Sequence, residues 1–233
     1  MFKFLFQFLE NYSLKTGSIN AYINKHKASE LSLFLVGLEK FPFYETLIKT
    51  AQKKRPDYNT LTNDEQLLIL VKTLLAQDDL NYSFYPKGSL PFHKYKDHLA
   101  TAFEEHLFEA ALYASTDKKA KLHFTISKGH KSIFDTEFIR IKEGVERKTD
   151  TKFEVTFSYQ RDSTDTIAVN LENEPVLNLD GSLHFRPSGH GALLENLNDF
   201  NADIIFIKNI DNVVVCKYQD EVAQHKKVRQ AYF

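Results

Sequence analysis

Residues 181–212, GSLHFRPSGHGALLENLNDFNADIIFIKNIDN, carry most of the information in this chain. A turn at Asp180-Gly181, a histidine between two glycines, a helical stretch from Gly189 to Leu197, an apolar run and a closing Asp211-Asn212 follow one another there. That order builds a phosphate or nucleotide site at the end of a parallel strand. The uninterrupted apolar run from Asp203 to Lys208, DIIFIK, predicts a strand buried on both faces of a parallel sheet. A carboxylate just beyond such a strand falls in the crevice where open α/β sheets bind ligands, so Asp211 is a candidate ligand for a divalent metal. Magnesium is held by one or two carboxylates plus substrate phosphates and water, and one aspartate suffices for it. An aspartate in this place equally caps a loop.

Working outward, alternating strands and helices precede this stretch. Lys152 to Tyr159 alternates apolar and polar residues as a strand does, and a second strand is expected near Thr166 to Val169. Ser127 to about Lys148 has Ile133, Phe134, Phe138 and Ile141 on one helical side, Lys121 to Ile126 reads as a short strand, and Thr101 to Ser115 as a helix. From Met1 to about Gln77 the pattern is helical. Phe2, Leu5, Phe6 and Leu9, then Leu31, Phe34, Leu35 and Leu38, then Leu67, Leu68, Val71, Leu74 and Leu75 recur at three- and four-residue steps. Thr62-Asn63-Asp64-Glu65 supplies cap chemistry for the last of these helices. The C-terminal residues read as a polar helix, and no repeat is evident. The expectation is a helical segment over residues 1–80 and an α/β core over 81–233, packed as one domain with a soft boundary near Asn81.

Composition narrows the classes. In 233 residues, 42% hydrophobic with 20 Phe and 11 Tyr, there is material for a substantial core. Thirty Lys and Arg against 31 Asp and Glu leave a net charge of -1, so no global basic field argues for nucleic acid. The single Cys216 cannot form an internal disulfide, and a sulfur-rich zinc site is excluded. Both suit a reducing compartment, and the cytoplasm is expected. The opening MFKFLFQFLE is interrupted by Lys3, Gln7 and Glu10 and lacks a small-residue cleavage site, so it is not read as an export signal. No run approaches the roughly 18 apolar residues a membrane-spanning helix needs, so no membrane association is expected.

Several further groups could bear chemistry. Gly189 and Gly191 permit close backbone approach to a ligand, and His190 between them could contact a base, ribose or sugar. Glycines also make ordinary turns. Lys87, fixed between Pro86 and Gly88, is displayed on a rigid turn that can aim an ammonium at phosphate oxygens, although a solvated turn lysine is the commoner case. Gln160 ends a strand and offers a two-pronged amide to a base edge. Glu105 and Glu109 share one helical face beside Glu104 and His106; paired carboxylates can bind metal, but a charged helix flank is the expected reading. The histidines lack zinc-ligand spacing. No G-x-S-x-G occurs and nothing around Cys216 marks a thiol nucleophile, so covalent catalysis is not expected.

In chain order, PKGSLPFHKY from Pro86, TAFEEHLFEAALYA from Thr101, LHFTIS from Leu122, FSYQRDSTDTIAV from Phe157, FRPSGHGALLENLN from Phe185 and ADIIFIKNIDNVV from Ala202 resemble the bacterial domain-of-unknown-function 4301 family. That family is in turn distantly similar to sugar-nucleotide pyrophosphorylases of the uridylyltransferase type. The resemblance implies an incomplete Rossmann-like nucleotidyltransferase core with a mostly parallel sheet. It implies attack of a sugar 1-phosphate on the α-phosphate of a nucleoside triphosphate, giving a nucleotide sugar and pyrophosphate, with magnesium as cofactor. By the same resemblance Lys87 matches the Pro-Lys-Gly lysine and Gln160 a glutamine near the nucleobase. Gly189, His190 and Gly191 match a G-N-G element with histidine in place of asparagine. Asp211 and Asn212 match a Val-Asp-Asn element whose aspartate helps to bind magnesium. Against these families, a glycine-rich phosphate loop before the first helix and further sequence after Asn212 are missing, so the chain is expected to be shortened at both ends. The alternative is a non-catalytic nucleotide-binding or interaction fragment. Nothing in the sequence names a protein partner.

Overall fold

A computed structural model describes residues 2–231. The chain falls into two compact units, one up to Ala102 and the other from Phe103. Composition changes near Asn81, whereas the division in space follows Ala102.

The first unit is helical, as its periodicity predicts: α1 (Lys3–Asn11), α2 (Ile19–His26), α3 (Ser29–Gly37), α4 (Tyr44–Lys54) and α5 (Asn63–Leu75). Leu5, Phe8, Leu31, Leu47 and Leu74 meet in a core where each is at most 1% exposed. Polar groups fix the helix starts. Ser18 accepts from the Ala21 amide at the head of α2, and Thr62 with Glu65 forms a reciprocal capping box on α5. Asp64, in the first turn of α5, also accepts from the Ile19 amide at 3.0 Å and so ties the start of α2 to α5. A hairpin of β1 (Pro91–Lys94) and β2 (Leu99–Thr101), antiparallel and irregular between Pro91 and His93, ends the unit.

The second unit is mixed α/β. After α6 (Ala102–Tyr113), β3 (Ser115–Thr116) turns antiparallel into β4 (Lys119–Thr125). The chain then crosses over through α7 (Lys131–Thr149) and returns as β5 (Lys152–Ser158), parallel to β4. Alternation sorts the strands by face. Ala120, Leu122 and Phe124 with Phe153, Val155 and Phe157 pack against Phe103, Leu107, Phe134, Ile141 and Val145 of α6 and α7. The partners on the opposite face are polar: His123 stands beside Thr156 and Thr125 beside Ser158.

Beyond β5 the structure departs from expectation. The anticipated mostly parallel sheet reduces, among the described residues, to the β4–β5 pair; every other strand pairing is antiparallel. β6 (Thr166–Ile167) and β7 (Phe185–Arg186) frame a small meander in which three evenly spaced residues close a ring of backbone bonds. Ala168 donates to His184 at 2.9 Å, His184 to Val176 at 2.8 Å and Val176 to Ala168 at 2.9 Å. Asn170 and Asn178 occupy equivalent places after Ala168 and Val176, a short internal similarity where no repeat is evident in the sequence. The expected helix from Gly189 splits into a 3-10 turn over His190–Leu193 and the single turn α8 (Leu194–Leu197).

The run from Asp203 to Lys208 is not a buried strand. It makes no backbone hydrogen bond among the described residues, and Ile205 and Ile207 are 42% and 71% exposed. The segment is held by side chains of α6. An apolar run of this length does not distinguish a sheet strand from a segment laid on a helix. The polar helix α9 (Cys216–Gln230) follows, as composition predicts. No helix among the described residues is long and apolar enough to cross a membrane.

Candidate functional site

The carboxyl end of β5 carries Gln160 and meets the short helix that follows the Gly189–Gly191 turn. The parallel ladder extends one step past the strand, with the Ile126 amide donating to the Ser158 carbonyl at 2.9 Å. Ser158, Tyr159, Gln160 and Arg161 then leave the sheet toward α8. Asn196 of α8, 5% exposed, donates from Nδ2 to Ser158 Oγ at 3.0 Å and to the Tyr159 carbonyl at 2.8 Å. Arg161 closes the other side with a two-pronged contact to Asp199 at 2.9 and 2.8 Å and a weaker one to Glu195 at 3.4 Å. The short helix that follows the Gly189–Gly191 turn is thereby fastened to residues on both sides of Gln160. Gln160 itself is half-buried and its Nε2 donates to Asp165 at 3.1 Å, which leaves the amide oxygen and the second N–H as the groups it offers to a ligand.

Gly189 has φ -68° and Gly191 is not in the left-handed region, and a Cβ at either would meet nothing within 4 Å. The protein's own fold therefore does not require glycine at these positions. His190 is exposed on the 3-10 turn between them.

Asp211 and Asn212 lie in the turn after the apolar segment, both exposed, with the Asn212 amide donating to the Asn209 carbonyl at 3.0 Å. Among the described residues no group of three or more His, Cys, Asp or Glu side chains is arranged to hold a metal ion. The donor set therefore fits only the mode in which a single carboxylate shares magnesium with substrate phosphates and water. Lys87 belongs to the first unit, exposed on a 3-10 turn over Lys87–Ser89.

The helix flank Glu104-Glu105-His106 with Glu109 is not solvated, contrary to expectation: Glu105 and Glu109 are each 1% exposed and Glu104 5%. Their partners come from far along the chain. Glu109 pairs with Lys208 and accepts from the Tyr113 hydroxyl at 3.2 Å and the Val214 amide at 3.2 Å, and Glu105 accepts from Gln219 at 2.7 Å. His106 Nε2 donates to the Ile210 carbonyl at 3.1 Å. Burial, and after it the charge on Lys208, pushes the His106 imidazole below its ordinary pKa, so this ring is held neutral. Burial and the neighbouring Glu109 push the Tyr113 phenol up. This network anchors the segment carrying Asp211. Sequence reasoning saw its acidic half, but nothing local marks Lys208 or Gln219 as the complement.

A second polar group also escapes the sequence. His123, Thr156, Ser158 and Asn196 form one hydrogen-bonded row across the outer face of β4 and β5. The only advance sign is that alternate positions of two apolar strands are His, Thr and Ser.

Comparison with known proteins places the chain in a family. The family model described as Domain of unknown function (DUF4301) matches residues 1–233, and the chain belongs to that family. No curated protein and no solved structure matches it.

Proposed function

We propose that the second unit carries a nucleotide-binding site of the nucleotidyltransferase type, serving transfer between a nucleoside triphosphate and a sugar 1-phosphate. The observation that carries this reading is the seating of α8 by Asn196 and Arg161 on the end of β5, which joins the Gly189–Gly191 turn to Gln160 at the carboxyl end of a parallel βαβ unit. The unconstrained glycines of that turn give a second support, because a close ligand supplies a reason for them that the fold does not. The similarity to uridylyltransferase-type pyrophosphorylases belongs to the same proposal.

In this reading Gln160 offers its amide oxygen to a base N–H while Asp165 fixes the other end of the amide. The turn at 189–191 lets ribose or sugar approach the backbone, with His190 beside it. Asp211 is the carboxylate that would hold magnesium, and magnesium, when bound, neutralises charge on the phosphate oxygens. Positioning of the two anionic reactants is the protein's main contribution to such a displacement. Lys87 stands on the first unit, and the reading of this site is carried without it.

The test is pyrophosphate exchange with nucleoside triphosphates, sugar 1-phosphates and magnesium, with nucleotide binding measured in parallel. Exchange supports the transferase. Asp211→Ala is expected to abolish magnesium-dependent nucleotide binding while changing stability by less than about 1 kcal/mol, as for an exposed site residue. Unaltered binding in that variant would remove Asp211 from the site. A second reading is a nucleotide-binding module without turnover. It predicts binding without exchange.

A further inference from the structure

The outer face of the β4–β5 pair holds a hydroxyl and an imidazole in contact. His123 Nε2 lies 2.7 Å from Ser158 Oγ and its Nδ1 lies 2.8 Å from Thr156 Oγ1. The Thr156 hydroxyl has the Leu122 carbonyl as an acceptor at 3.4 Å, and in the tautomer where it donates there its oxygen accepts from His123 Nδ1–H. Ser158 Oγ accepts from the Asn196 amide at 3.0 Å and shares a hydrogen bond of 3.2 Å with the Thr125 hydroxyl in which either oxygen can donate. In that tautomer the bare Nε2 of His123 faces the Ser158 hydroxyl as a base, and Thr156 holds the ring from the far side, the place a carboxylate takes in hydrolytic triads.

Three more observations fit a reactive pair. Burial pushes the His123 pKa below its ordinary value, so the ring is unprotonated at neutral pH. The Phe200 ring stands edge-on to it with centroids 4.4 Å apart and keeps it from turning, yet Ser158 and His123 both remain partly open to solvent. The Asn196 Oδ1 atom, on the amide that touches Ser158, is buried and without a hydrogen-bond partner among the described residues.

We propose that Ser158 and His123 form a nucleophile and base pair that acts on small carboxylic esters, independently of any nucleotide chemistry. Ser158 Oγ forms a bond to the acyl carbon, and the bond from that carbon to the leaving oxygen breaks. The serine proton passes to His123 Nε2 and from there to the leaving alkoxide. Water then cleaves the acyl-serine by the reverse proton path, releasing the carboxylic acid and restoring the hydroxyl. The sequence holds no G-x-S-x-G because this serine ends a strand and finds its base on the neighbouring strand.

The probe is diisopropyl fluorophosphate on the purified chain: the Oγ–P bond forms, the P–F bond breaks with fluoride leaving, and the serine proton is taken by His123. The expected result is one adduct, mapped by mass spectrometry to Ser158, with labelling slowed about 100-fold or more in His123→Gln. Circular dichroism checks that the variant keeps its fold. p-Nitrophenyl acetate hydrolysis by the wild-type chain should disappear once Ser158 is labelled. No adduct, an adduct on another residue, unchanged labelling in His123→Gln, or hydrolysis that survives labelling of Ser158 would each overturn the proposal. Adduct mapping uses the wild-type protein, so it stands even if a variant fails to fold.

Discussion

Glu109 is a nearly inaccessible carboxylate whose charge is matched by Lys208, itself 9% exposed. Taking either ion out of water costs several kcal/mol, which their attraction and the extra bonds from Tyr113 and Val214 offset. Lys208→Ala leaves the carboxylate buried and unmatched and is expected to destabilise the second unit by about 3–5 kcal/mol, whereas Lys208→Met combined with Glu109→Gln should recover most of that loss. Denaturant titration of the three proteins decides it, and a mild effect of the alanine alone would mean the pair is solvated. His106 makes a pH prediction at the same place. Its folded pKa lies below the ordinary 6.5, so between 6.5 and the folded value the unfolded chain binds more protons and stability falls as pH falls. Between about pH 7.5 and about pH 5.5 the wild-type chain should lose more stability than His106→Gln, which keeps a donor for Ile210 without titrating. Parallel pH curves for the two would remove His106 as the cause.

At the scale of elements, what the sequence discloses depends on whether a residue's partner is near it. Helices α1, α3, α5 and α7, and strands β4 and β5, are legible because one face of each is apolar at the right period, a local property. The capping box of α5 was legible for the same reason. The Asp203–Lys208 run was misread because Ile204, Ile205, Phe206 and Ile207 lack any alternation that would assign a face, so the run was given a sheet that is not there. The acidic face of α6 was misread in the opposite sense: Glu105 and Glu109 look solvated until Gln219 and Lys208 arrive from beyond it. Gln160 and the Gly189–Gly191 turn were identifiable singly, but their fastening through Asn196 and Arg161 depends on a chain reversal with no local signature. The apolar segment offers a direct check. Ile207→Asp is expected to change stability by no more than about 0.5 kcal/mol, the usual range for an exposed position, where a buried sheet strand would lose several times that. Thermal unfolding of this variant distinguishes the two, and a large loss would restore the strand.

For the whole molecule, the two units bury separate sets of apolar side chains, and among the described residues no buried residue belongs to both clusters. Leu74 sits in the first and Leu107 in the second, each fully inaccessible. Truncating either to alanine removes buried methyl groups and leaves a cavity, which costs about 2–5 kcal/mol. Stability is not uniform across a chain with separate cores, so the loss should register where the cavity is. Leu74→Ala is expected to lower hydrogen-exchange protection across α1, α3, α4 and α5 by that amount while β4, α7 and β5 change by less than about 0.5 kcal/mol. Leu107→Ala should give the converse pattern. Equal loss of protection in both units from either substitution would show that they unfold as one body, and the cores would then be coupled despite sharing no buried side chain.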